Sequence, residues 1–178
     1  MTILQGTALL AFVVTLILGF VLGVSSTKTP KRPADDPKDV ALYDAIKQAM
    51  AEEGYRVDEF NYKEDRGLSV AYDPSWEVQG AASVSASMPA RERVQVLLHE
   101  WGHLKLLHSF DRKQSLDTHE VQAETIAYEA ARLLGIDSYN QEIYIAQHIK
   151  DGGETPDDEL EPRLRNIARH IADAIQKQ

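Results

Sequence analysis

The sequence predicts an α+β domain with an N-terminal transmembrane helix ahead of it. Three observations carry this prediction. Residues 1–27 contain no Asp, Glu, Lys or Arg and are mostly apolar. Two stretches before residue 89 alternate side chains at strand spacing. Most of the chain beyond residue 89 has apolar residues at helical spacing.

Ile3 to Val24 has only Gln5, Thr7 and Thr15 as polar interruptions. A helix needs ~20 apolar residues to span the hydrocarbon core, and this stretch suffices. No basic residue precedes it, as a cleaved signal peptide would require, and Lys28, Lys31 and Arg32 follow it. The positive-inside tendency then predicts a single-pass membrane protein with its C-terminal side in the cytoplasm. Ser25 to Pro37 holds three prolines and few apolar groups, so residues 28–38 read as a linker. Residues 39–178 form the expected soluble domain, long enough to bury one core.

Within that domain, Val40 to Glu53 reads as a helix stopped by Gly54. Phe60 to Tyr72 reads as a hairpin turning over Glu64-Asp65-Arg66-Gly67. Ala81 to Met88 alternates small and polar residues and reads as a short strand, one whose edge could pair with an extended peptide. Pro89 suits a first helical turn and opens a helix running to about His108. Further helices are expected over Thr118 to Leu134, stopped by Gly135, and over Gln141 to Lys150. Leu160, Leu164, Ile167, Ile171 and Ile175 form one stripe on a last helix. The expected architecture is a small antiparallel sheet followed by several helices.

The formal net charge is −9, which argues against nucleic acid as a partner, because phosphate binding draws on clustered Lys and Arg. The chain has no cysteine, which excludes disulfides and thiolate zinc sites.

The pattern His-Glu-x-x-His occurs at His99 to His103. Residues four apart share a helix face, so both imidazoles can reach one ion, and neutral imidazole suits Zn2+. Glu100 is turned ~100° from His99. There it can take a proton from a water beside the ion without being a ligand, as a general base. A catalytic zinc needs a third protein ligand, and His108, Asp111, Asp117, His119, Glu120, Glu124 and Asp137 are available. Glu120 and Glu124 stand out, being four apart on one helix; one can bind while the other orients a histidine. His108 lies ~140° round the helix from His103 and should face elsewhere. Tyr144 and His148, also four apart, are candidate transition-state stabilisers. Trp101 and Leu104 read as core.

The segments LLHEWGHLKLLH, HEVQAETIAYEAARLLGI and YIAQHI resemble the C-terminal zincin domain of ArdC-type antirestriction proteins and the related ImmA/IrrE metallopeptidases. The resemblance covers about Ser83 to Gln178. It implies a zincin-like fold, with His99 and His103 as zinc ligands and Glu100 as base. The third ligand maps to Glu120, with Glu124 as its supporting acid. It further implies a gluzincin-like metallopeptidase acting on a protein or peptide. ArdC proteins carry a single-strand DNA-binding domain where this chain has its apolar segment, so the antirestriction role does not transfer. A different expectation is a non-catalytic zinc-binding sensor or adaptor that binds a protein partner, since zinc also stabilises folds.

Overall fold

A computed structural model describes residues 34–60, 67–71, 78–137 and 139–178. Five helices and three strands follow in the order α1 (Pro37–Glu52), β1 (Tyr55–Phe60), β2 (Gly67–Ala71), β3 (Gly80–Ser85), α2 (Ala90–Leu106), α3 (Leu116–Leu133), α4 (Tyr139–Lys150) and α5 (Leu160–Gln176).

Local chemistry fixes the ends. Asp36 caps α1 by accepting from the Lys38 N–H at 2.8 Å, with Pro37 in the first turn. Gly54, at φ +82°, takes the left-handed conformation that turns the chain into β1. Pro89 has no side chain with which to cap α2. The Asp35 carboxylate does so instead, accepting from the Ala90 N–H at 3.0 Å. Ser115 Oγ caps α3 by accepting from the Thr118 N–H at 3.1 Å.

The sheet order is β1-β3-β2. β1 runs parallel to β3, with Tyr55 opposite Gly80, and β2 runs antiparallel to it, with Gly67 opposite Val84. The expected antiparallel sheet is therefore mixed. The expected hairpin does not form, because β3 inserts between the strands on either side of that turn. Residues 61–66 and 72–77, including Tyr62, Tyr72 and most of the turn, lie outside the described residues. β3 being central, both its edges are filled, which removes the expected pairing of that strand with a peptide. Ala86, assigned to the strand from sequence, lies past its end, where its N–H donates to the Phe60 carbonyl at 2.8 Å.

The expected transmembrane helix is not among the helices described. Among the described residues no helix is long and apolar enough to cross a membrane. Residues 1–27, where the span was placed, lie outside the described residues. Over the described residues the fold class is thus corrected to α+β with no membrane-crossing helix, and the expected single-pass membrane location and cytoplasmic orientation go unsupported.

The core gathers Tyr43, Ile46 and Met50 of α1, Ala82 and Val84 of β3, and Leu97, Leu98, Trp101 and Leu104 of α2. Ile126, Ala127, Ala130 and Ala131 of α3 and Leu164, Ala168, Ile171 and Ile175 of α5 complete it. Trp101 is fully buried, as expected of core, and its indole N–H donates to Glu53 at 3.2 Å. α2 and α3 are antiparallel neighbours: Gln95 near the start of α2 donates to the Asp137 carbonyl beyond α3, while His103 near its end meets Glu120. They cross closely at Gly102. A Cβ there would stand 3.2 Å from both the Cα and the carbonyl oxygen of Ala123.

Candidate metal centre

That crossing sets the site. α2 presents His99 and His103 on one face, as four-residue spacing requires, and α3 brings Glu120 against them. The Nε2 atoms of His99 and His103 lie 2.9 Å apart. Glu120 Oε2 lies 3.3 Å from His99 Nε2, and its Oε1 lies 3.6 Å from His103 Nε2. Two ligand atoms each ~2.0–2.1 Å from a tetrahedral ion stand ~3.3 Å apart. The three observed separations bracket that value, so this group could hold a metal ion.

The same geometry separates the two glutamates. Glu120 faces the nitrogens that converge, whereas Glu124 Oε1 lies 3.1 Å from His99 Nδ1, on the rear of that ring. Nδ1 is buried without a formed hydrogen bond among the described residues. Glu124 acts on His99 as a charge.

The electrostatics follow from burial and crowding. Burial pushes the His99 imidazolium down, but Glu124, Glu120 and Glu100 outweigh it and hold the group well above the ordinary histidine range. Burial likewise raises Glu120, but contacts with His103 and His99 carry its carboxyl well below the usual carboxylate range.

Glu100 is buried, and among the described residues its carboxylate makes no hydrogen bond or ion pair. It sits beside His99 in sequence and bears on its charge.

Behind His103 stands a group that sequence spacing does not reveal. α2 ends at Leu107, which has φ 56° and ψ 37°, and this left-handed turn folds the chain back on itself. His108, expected to face away, is thereby brought under His103, with 2.7 Å between their Nδ1 atoms. His108 Nε2 lies 3.0 Å from Gln122 Oε1, and the Gln122 amide donates to Gln114 Oε1 at 2.9 Å. The His108 ring stacks on His119 at 4.2 Å. Burial, and next the neighbouring His103, push the His108 pKa down to about 3. Gln122 had no sequence signal; for His108 the signal would have been a turn glycine at 107, where the chain has leucine.

The remaining candidates are elsewhere. His119 faces Asp111 at 3.4 Å, and Asp137 lies near Arg91 at the far end of α2. His148 Nδ1 faces Asp117 at 3.2 Å, and the Tyr144 side chain is exposed. Neither Tyr144 nor His148 forms a hydrogen bond or ion pair with His99, Glu100, His103 or Glu120 among the described residues.

No protein-family model, curated protein or solved structure matches this chain.

Proposed function

We propose that the domain is a zinc-dependent metallopeptidase in which His99, His103 and Glu120 hold the ion and Glu100 is the general base. One observation carries the reading. Two imidazoles and one carboxylate converge at ligand spacing, and a buried carboxylate with no hydrogen bond or ion pair among the described residues stands one residue from the first. The all-nitrogen-and-oxygen donor set, with two imidazoles, suits zinc. The likeness of the His99–His103 and Glu120–Glu124 segments to the zincin domain of ArdC-type and ImmA/IrrE proteins supports the same conclusion.

When bound, zinc supplies Lewis acidity, lowering the pKa of a water to ~7 and polarising a carbonyl oxygen. Glu100 would serve as the base, taking a proton from the attacking water and returning it to the leaving amine nitrogen. Glu120 supplies the negative charge that matches the ion, and Glu124 adds a further negative charge behind His99. A structural zinc site has no use for a base beside it, so Glu100 favours catalysis over a sensor or adaptor role.

The test is Glu100→Gln in the full chain, with zinc measured by elemental analysis and cleavage by mass spectrometry on a mixed peptide library. Both proteins should carry about one zinc, while cleavage by the variant falls ~10²–10⁴-fold. Zinc without cleavage in the parent would leave a binding domain only. Parent protein without zinc would end the metal reading.

A further inference from the structure

We infer that His108 and Gln122 are positioning residues of the metal centre, forming a one-way chain of hydrogen-bond donors that holds His103 with its Nε2 lone pair toward the ion. The inference rests on the zinc reading above and deepens it.

The argument is donor accounting. To bind an ion, His103 must keep Nε2 unprotonated, so its proton lies on Nδ1 and must be donated. The atom facing it is His108 Nδ1, at 2.7 Å. That nitrogen must accept, which puts the His108 proton on Nε2. The Nε2–H then donates to Gln122 Oε1 at 3.0 Å. With its oxygen so used, Gln122 offers its amide N–H to Gln114 Oε1 at 2.9 Å, and that is how the amide is oriented. Every donor has an acceptor, and the chain ends at the exposed Gln114. Run backwards, the same contacts would put a proton on His103 Nε2 and block ligation.

The chain is held in place. His108 is clamped by its stack on His119, with an angle of 13° between the rings, and His119 is steadied by Asp111. Gln122 is buried. The two ligand histidines therefore have unlike supports. A carboxylate charge lies behind His99, and a neutral relay behind His103.

The experiment measures zinc affinity of the full chain by competition with a chromophoric chelator. His108→Phe keeps a flat ring against His119 and removes the acceptor; it should weaken zinc binding ~10–100-fold. Gln122→Met should weaken it too, whereas Gln122→Glu, which still accepts from His108, should stay close to the parent. Long-range 1H–15N spectra of the zinc-loaded parent should show His108 protonated at Nε2 and bare at Nδ1. This readout decides the matter even if His108→Phe does not fold. Parent-like affinity in His108→Phe and Gln122→Met, or a proton on His108 Nδ1, would overturn the donor chain and leave the zinc site standing. A parent that binds no zinc would overturn both.

Discussion

Replacing Gly102 by alanine sets two effects against each other. Glycine inside a helix costs ~1 kcal/mol relative to alanine, so propensity alone favours the change. The new Cβ, however, would stand 3.2 Å from backbone atoms of Ala123, which cannot swing aside as a side-chain tip would. Carbon pairs prefer ~3.5–4.0 Å, so the two helices must part by roughly 0.3–0.8 Å. Overpacking of this kind costs ~1–3 kcal/mol. The net expectation is a loss of ~0–2 kcal/mol, or a fall in Tm of no more than ~8 °C. Metal binding should suffer more than stability. His99 and His103 ride on one helix and Glu120 on the other, and zinc–ligand distances tolerate only ~0.2 Å. Zinc affinity should drop at least ~10-fold, comparable to losing a supporting group. Thermal unfolding by circular dichroism and zinc competition on the same samples give both numbers. A variant that melts higher than the parent and binds zinc equally well would refute the claim that this contact sets the site's spacing.

Two further perturbations probe the frame. Glu59 accepts from Tyr43 at 3.0 Å and Lys47 at 2.9 Å and faces Arg93 at 3.3 Å. Partial burial raises its pKa, but Lys47, Tyr43 and Arg93 together bring it below the ordinary 4.5. Its contribution is therefore complete above pH 4.5 and lost as pH falls through the depressed value. Glu59→Gln should cost ~1 kcal/mol near neutrality and almost nothing in strong acid; an equal deficit in urea unfolding at both extremes would show that charge is not the source. Leu107 pays for a left-handed backbone with a side chain that is 51% exposed. A non-glycine residue there costs ~1–2 kcal/mol, so Leu107→Gly should raise Tm by ~2–8 °C; a lower Tm would mean that the leucine packs.

The helices were legible because their signals are local. Caps, glycine stops and the stripe on α5 each act within a few residues, and the observed ends fall within about three residues of expectation. The sheet was not legible. Two neighbouring alternating stretches read as a hairpin, yet β3 separates them. Its own pattern held the clue: Ala81, Ala82, Val84 and Ser85 are all buried, as befits a strand covered on both faces rather than one alternating at an edge. His99, Glu100 and His103 could be grouped from spacing because one helix fixes their angles. Glu120 and Glu124 could not be told apart that way, since both lie on one face of α3. Only the crossing at Gly102 decides which one meets the converging nitrogens. His108 was misjudged because helical arithmetic was carried past Leu107, where the helix ends.

The close crossing of α2 and α3 also bears on how much order the site demands of the chain. All three candidate ligands belong to one pair of consecutive helices joined by a single connection. Bringing them together closes only a short segment, for which the loss of chain freedom grows slowly with length. The pairing of β1 with β3, Tyr55 with Gly80, closes a segment of similar length, so neither closure costs much more than the other. The ordering that the centre needs is thus largely contained within its own two helices.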